Sequence, residues 1–461
     1  MILRLLLALC VTVALQAGGP VYVTLWFDTE DYIEPSSDDA ALRLAEDLSA
    51  LGVRATFKVV GEKARVLEQR GRYDVIRALN RHDIGYHTQF HSIPPAPAVY
   101  LRRMGFLDGA AEFERREAPG VADLRRIFGV NPSCYGQPGS SWGPQTHPAL
   151  RRLGIPIYLD EGSQVGLNDQ PFWYGGLLYV FKMGRYVLRA DINDEAKLPA
   201  TLERFDLLAK ELSDRGGGMI SIFYHPAEFS TTEFWDGVNF SRGANPARSQ
   251  WKNPRKKTRE QSELGYRILK NFVAHTLKNP AVRYVTAREF LQLYAGPEPP
   301  RAEPERLKRH LAAGIAYLET ERGALSPADM LLALLGLEYS HVDGPVSRGQ
   351  TTLSGGSVSR AEMEDAKLQV AAFIRTHKRL PAEVWLGSDT LSLADFTATL
   401  AADGAGQEVA IRRGALDFEK HFATDGAKVF NWVIHPEGFD GSELLELGRL
   451  QGWTLKPARL R

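Results

Sequence analysis

The chain has 461 residues, 44% hydrophobic and 24% charged, which are the proportions of a folded globular protein and exclude a disordered chain or a membrane bundle. Lys plus Arg and Asp plus Glu each number 56, so the formal net charge is zero; no basic surplus points to nucleic acid or an anionic membrane, and a neutral substrate is expected. At ~150 residues per domain the length predicts two or three units, fewer if one is a barrel.

Residues 1–18 of MILRLLLALCVTVALQAGG read as a secretory signal: Arg4 is the basic region, Leu5 to Leu15 the apolar core, and Ala17 a small residue before cleavage. The apolar run falls short of the ~20 residues that span a bilayer, so the expectation is cleavage, no stable membrane insertion, and export to the periplasm or the extracellular space. Cleavage leaves Cys134 as the only cysteine, so no intramolecular disulfide is expected.

The stretch Val21 to Asp31, VYVTLWFDTED, alternates apolar residues as a strand does and ends in Asp28, Glu30 and Asp31. Helical spacing follows over Asp38 to Leu51, then a strand over Val53 to Val60, a helix over Tyr73 to Asn80 and a strand over Asp83 to His87. Further strands are predicted at Ser133 to Gln137, Pro156 to Asp160, Leu178 to Lys182, Met219 to Tyr224 and Val282 to Val285. Helices are predicted at His147 to Leu153, Leu198 to Leu212 and Ser262 to His275. This β-α-β alternation implies an α/β fold of parallel strands: an incomplete, distorted β/α barrel over residues 19–295, with an open doubly wound sheet as the alternative. No GxGxxG or GxxxxGK[ST] follows a strand, so nucleotide binding has no support.

The Pro-rich stretch 296–304 reads as a linker to a different unit over 305–461, mainly helical, with helices at Glu305 to Thr320 and Ala361 to His377. Two segments in it are alike: LSPADMLLALL from Leu325 and LSLADFTATLA from Leu391, each with a Ser and, three residues on, an Asp, as in a capping box. The HPEGF run at His435 lacks companion ligands and reads as structural.

His87 and His91 in GYHTQFHS follow the third strand four residues apart, and in a helical turn that spacing sets both imidazoles on one face, about 5–6 Å apart. With an acid from the end of the first strand they form two imidazoles and a carboxylate, a set that holds catalytic zinc with a position left for water. His225, in FYHPAEF at the end of a strong strand, suits a general acid that protonates a leaving amine.

Taken in order, FDTED, HTQFH and FYHP resemble the motifs of the polysaccharide deacetylase (NodB-homology, carbohydrate esterase family 4) superfamily over roughly residues 20–295. The resemblance implies Asp28 as general base, His87 and His91 as ligands of a divalent ion (Zn²⁺, or Co²⁺ or Ni²⁺), and His225 as general acid. The acid ligand is Glu30 or Asp31; a branch of the family that spaces its acids by two favours Glu30, and Glu228 matches the HPxE run of that branch. The resemblance also implies a glycan partner and marks Gln137, Pro138, Trp142, Asp160 and Glu228 as substrate-binding residues. Trp26, Tyr86, Phe172, Trp173 and Tyr174 are further candidates for stacking on a sugar, with Asn168 to Gly176 as a loop over the site.

One departure is large. The family's Arg-x-Pro motif corresponds here to YGQPGSSW, with Gly136 in place of the Arg that pairs with the catalytic Asp. Either another cation such as Arg189 reaches Asp28, or catalysis is weakened. The expected function is thus an exported, metal-dependent hydrolase removing N- or O-acetyl groups from a polysaccharide or peptidoglycan-type glycan. The alternatives are a non-catalytic carbohydrate-binding protein on the same fold and a hydrolase of another C–N amide bond.

Overall fold

In the computed structural model, which describes residues 18–404 and 406–461, the opening apolar run forms strand β1, Val21–Thr29. Residues 1–17 of the predicted signal segment lie outside the described residues. The side chains of β1 alternate between two environments. Val21, Val23, Leu25 and Phe27 pack among helix residues such as Leu44 and Val75, whereas Trp26 joins Cys134, Leu159, Val180 and Met219 in an inner core.

Seven more strands build the sheet: β2 (Thr56–Val59), β3 (Asp83–Tyr86), β4 (Ile157–Leu159), β5 (Phe172–Tyr174), β6 (Leu177–Val180), β7 (Gly218–Tyr224) and β8 (Val282–Tyr284). Strand β1 pairs in parallel with β2, β7 and β8, and β2 with β3. Beyond β3 the sheet continues through single parallel bridges from Tyr86 to Tyr135 and from Tyr135 to Tyr158, and then through the parallel pair β4 and β6. The predicted strand Ser133 to Gln137 is thus reduced to one pairing residue. Strand β5 runs antiparallel to β6, and on the far side of β7 a single bridge joins Ser221 to Val187. Among the described residues these pairings do not close a ring. The fold is α/β with an incomplete, mostly parallel barrel, as the alternation predicts.

Helices Ser36–Ala50, Tyr73–Leu79, Thr146–Arg152, Leu198–Asp214 and Arg259–Thr276 fall where the apolar spacing puts them. Others escape that reading, among them Gly61–Gln69 and the long helix Phe106–Phe128, whose Pro119 and Gly120 interrupt its propensity. Gly120 is demanded by packing: a β-carbon there would lie 2.3 Å from Gln89 Oε1 and 2.6 Å from Tyr86 Oη.

In the C-terminal part the two similar segments become the last helices of two helix-hairpin-helix units. The first runs Pro304–Ala313, Leu318–Thr320, Gly323–Leu325, Pro327–Leu334, and the second Arg360–His377, Glu383–Leu386, Asp389–Ser392, Leu393–Ala402. Ser326 Oγ accepts from Asp329 N and Ser392 Oγ from Asp395 N, each at 3.1 Å, which satisfies one free amide at each helix start. The helix expected over Glu305 to Thr320 stops at Ala313, and its last three predicted residues form the first hairpin strand. The chain then returns to the barrel. Strand Lys456–Pro457 pairs antiparallel with β5, Tyr174 Oη donates to the Gly448 carbonyl at 2.7 Å, and Arg151 bonds both Asp343 oxygens at 2.8 Å. Among the described residues no helix is long and apolar enough to cross a membrane.

Candidate active site

The period of two along each strand turns one residue in two toward the barrel interior, so the C-terminal ends of neighbouring strands bring their inward side chains to one mouth. Asp28 of β1 lies in register with Lys58 of β2, and Lys58 with Gly85 of β3. Glu30 follows β1, His87 follows β3, Asp160 follows β4 and His225 follows β7. The sequence therefore delivers six polar side chains from five strands to one place.

Glu30 is buried and divided in function. Its Oε1 accepts a hydrogen bond from Trp235 Nε1 at 3.1 Å, while Oε2 faces His91 Nε2 at 2.8 Å and His87 Nε2 at 3.3 Å. Burial opposes ionisation of Glu30, but His91, His225 and His87 outweigh it and hold the carboxyl well below the ordinary range. The two histidines are not on a helix. Thr88 and His91 take left-handed backbone conformations, with φ of 65° and 57°, and Thr88 Oγ1 accepts from His91 N at 3.0 Å to fix the turn. The ring centroids still lie 4.8 Å apart.

These residues fit a divalent ion. The ligand atoms of Glu30, His87 and His91 lie within 4.8 Å of one another. His87 Nδ1 is committed to the Gly136 carbonyl at 3.1 Å and His91 Nδ1 to Ser92 Oγ at 2.5 Å, so both rings present Nε2. His91 Nε2 is buried, and its 2.8 Å contact with Glu30 Oε2 lacks the alignment of a hydrogen bond, so the two atoms face a common point as co-ligands of one ion do. Asp31, the other candidate acid, points elsewhere: its Oδ1 accepts from the amides of Ile33 and Glu34 at 2.9 and 3.0 Å and closes a turn.

Asp28 meets a cation, and it is not Arg189. Lys58 Nζ lies 2.8 Å from Asp28 Oδ1, 2.9 Å from Asp160 Oδ2 and 2.9 Å from the Leu159 carbonyl, fully buried, 4.0 Å from the centre of the Trp26 ring. Gly136 makes this possible, because a β-carbon there would sit 2.1 Å from Nζ. Burial raises the Asp28 carboxyl, yet His87, Lys58 and His225 together bring it below its ordinary value. Asp160, by contrast, is pushed up to about 7 by burial despite Lys58.

Arg189 instead ion-pairs with Glu228, whose other oxygen takes His225 Nδ1 at 2.6 Å. His225 Nε2 is then turned to Asp28 Oδ2 at 3.6 Å. Burial disfavours its charged form, but Glu30, Glu228 and Asp28 overcome that and raise the imidazole to about 9. Glu228 thus orients and charges His225, and it also lines the wider cavity beside the mouth.

The mouth opens into a cavity of about 270 Å³ lined by acids and histidines of this set, Trp26, Gln137, and Lys428, Val429, Asn431 and Trp432 of the C-terminal part. His225, Phe223 and Trp432 also border a neighbouring cavity of about 730 Å³ that includes Arg189, Glu228, Phe234 and Lys257. Of the substrate residues expected from the motifs, Gln137 and Asp160 face the first cavity. Pro138 and Trp142 do not line it; Trp142 is buried behind it, against His147 and under Gly448. Tyr86 faces the helix Phe106–Phe128 and donates to Glu117 Oε2 at 2.6 Å, while Phe172, Trp173 and Tyr174 form β5 in the sheet. Hence Asn168 to Gly176 does not cover the mouth. The cover comes from residues 428–432, which sequence reading missed.

Trp432 ties that cover down. Its amide donates to Ser140 Oγ at 3.0 Å and its Nε1 to Asp236 Oδ2 at 2.7 Å, and Gly139 leaves room for its ring. Asp236 also accepts from Ser92 at 3.4 Å, so hydrogen bonds run from the cover to His91. Trp235, Asp236 and Trp432 carried no sequence signal beyond being polar-capable aromatics and an acid outside the motifs. His435, in the echoed HPEGF run, is buried with Nδ1 on the Phe430 carbonyl at 2.8 Å and stands apart from the mouth.

No protein-family model matches the chain, and neither does any curated protein sequence. Solved structures similar to it include the Xyl-CE4 domain of a multidomain xylanase from the hindgut metagenome of Trinervitermes trinervoides, at 12% identity over 59% of this chain and 90% of that one, with a TM-score of 0.32. The Puue allantoinase is similar at 16% identity over 59% and 90%, with a TM-score of 0.37. The 4-alpha-glucanotransferase from Thermococcus litoralis is similar at 13% identity over 63% and 43%, with a TM-score of 0.41.

Proposed function

We propose that the protein is an exported, metal-dependent hydrolase that removes N- or O-acetyl groups from a glycan, with Glu30, His87 and His91 as metal ligands. The observation that carries this reading is the convergence of those three, their ligand atoms within 4.8 Å of one another, with Asp28 Oδ1 3.5 Å from His87 Nε2 and His225 Nε2 3.6 Å from Asp28 Oδ2. A bound zinc, cobalt or nickel ion supplies polarisation of an acyl carbonyl and a more acidic water.

The chain's own groups do the proton work. Asp28, held ionised by His87, Lys58 and His225, takes the proton from the attacking water on Oδ2, the oxygen that Lys58 leaves free. His225, raised to about 9, is protonated at neutral pH and gives its Nε2 proton to the departing amine or alkoxide. Two groups 3.6 Å apart with their affinities for protons pushed in opposite directions have the division of labour that base and acid require. Phe223, Phe234 and Trp432 around the wider cavity offer apolar faces to sugar rings. Export rests on the signal-like residues 1–18.

The Arg missing from its motif is the main argument for a non-catalytic binder; against it stands Lys58, which gives Asp28 a buried cation 2.8 Å away. The test is acetate release from N-acetylglucosamine oligomers and from peptidoglycan with added zinc or cobalt, comparing the wild type with His87→Ala. Metal-dependent release that falls at least about 10²-fold in the variant is expected. Stoichiometric metal without acetate release overturns the reading in favour of a binding protein or a hydrolase of another C–N bond.

A further inference from the structure

We propose that Lys58 is a built-in cation that fills the second of two adjoining cation positions at the barrel mouth, so that the site takes one metal ion and Asp28 stays off the metal as a base. The proposal rests on the metal-site reading above and concerns what limits that site.

Two groups of three potential ligands meet here: Glu30, His87 and His91, and Asp28, His87 and Asp160, the ligand atoms of each within 4.8 Å of one another. His87 belongs to both groups but has one nitrogen to give, since Nδ1 is held by the Gly136 carbonyl. A second divalent ion would therefore have to be held by the carboxylates of Asp28 and Asp160 without that Nε2. An ammonium needs no imidazole. It has three N–H groups, and Lys58 Nζ has three oxygen neighbours at 2.8, 2.9 and 2.9 Å, from Asp28, Asp160 and the Leu159 carbonyl. The lysine therefore neutralises the second position and leaves His87 to the first. Without it, two buried carboxylates would face each other with no countercharge, a strong attraction for any cation.

Gly136 belongs to the same device. A β-carbon at this position would lie 2.1 Å from Lys58 Nζ and 2.7 Å from Asp160 Oδ2, so the ammonium can sit between the acids because the residue beside it has no side chain. Lys58 and Gly136 are 78 residues apart in sequence and act as one unit. Lys58 is accordingly a positioning residue: it touches Asp28 and keeps the carboxylate turned, with Oδ2 toward His225.

The test is zinc stoichiometry and affinity of the full chain, by elemental analysis after desalting and by calorimetric titration, with circular-dichroism melts to verify folding. The wild type is expected to bind one zinc per chain, Lys58→Met two, and Lys58→Met/Asp160→Asn one again. Gly136→Ala retains the lysine but displaces Nζ, and is expected to admit a second zinc at least tenfold more weakly than the first; it serves if Lys58→Met does not fold. One zinc of unchanged affinity in Lys58→Met, or in Gly136→Ala where Lys58→Met does not fold, overturns the proposal alone. A wild type that binds no zinc overturns the metal-site reading and the proposal with it.

Discussion

Two lysines five residues apart, Lys58 and Lys63, are both buried and both paired with aspartate, yet they serve different ends. Lys63, in the helix Gly61–Gln69, bonds Asp38 Oδ1 at 2.5 Å, Ser37 Oγ at 2.8 Å and the Asp31 carbonyl. Asp38 is completed by Arg70 at 2.8 Å. Every acceptor of Lys63 is thus enclosed, and the lysine fastens the turn after β1 to the helix beside it. Lys58 also has three oxygen neighbours, but the free oxygen of Asp28 looks onto His225 and the cavity. A buried charge pair is therefore no sign of function in itself. What distinguishes the two is whether the partner carboxylate keeps an unshared oxygen turned toward open space.

The contrast is most sharply tested by Lys63→Met. Removing the ammonium leaves buried oxygens of Asp38 and Asp31 short of a donor, and a loss of about 3 kcal/mol in unfolding free energy is expected, the lower end for a broken buried pair because Arg70 remains. Urea denaturation measures it, and zinc stoichiometry of the folded protein should stay at the wild-type value. Loss of zinc binding together with stability would break the comparison.

A buried titratable group whose surroundings on balance disfavour its charge gives the opposite case. His147 is fully buried with Nε2 on Tyr179 Oη at 2.5 Å, and burial followed by Arg151 lowers it to about 3 from 6.5. Its folded value lies below the unfolded one, so between these values the unfolded chain binds a proton that the native chain does not. The contribution is complete above pH 6.5 and is lost as pH falls toward 3, at about 1.4 kcal/mol per pH unit. From pH 6.5 to 4.5 the wild type should lose about 2 to 3 kcal/mol through this group, and His147→Gln should flatten that part of the profile measured by denaturant titration across pH. An unchanged profile would show that His147 is protonated in the native state.

The smallest effect concerns the ligand side of the mouth. Trp235→Phe keeps a six-membered aromatic ring but removes the pyrrole N–H that donates to Glu30 Oε1, freeing the carboxylate to rotate. Zinc affinity, measured by competition with a chelator, should fall about tenfold with little change in stability. A large stability change with unchanged affinity would make Trp235 a packing residue.

Much of the frame of this molecule was legible because it depends on local periodicity. Alternation over Val21 to Asp31, helical spacing after it, and the recurrence of this pair of patterns imply parallel strands, and parallel strands imply a common face for the residues at their ends. Asp28, His87 and His225 could be assigned to that face from sequence because each ends an apolar run, and His91 because it lies four residues beyond His87. The long helix Phe106–Phe128 was hidden for a local reason as well, since Pro119 and Gly120 disguise a helix that tertiary packing enforces.

The sequence by itself determined which strand ends carry acids and imidazoles. The tertiary structure alone decided which of them meet. Glu30 rather than Asp31 faces the histidines because Asp31 is consumed by its own turn, and Trp142 lies behind the mouth because the C-terminal chain covers it. Lys58 and Asp160 are 102 residues apart, and Trp432 reaches Asp236 across 196. No period or motif links such positions. Their contact depends on which strand lies beside which, and, at Gly136, on the absence of a single β-carbon where the ammonium has to fit.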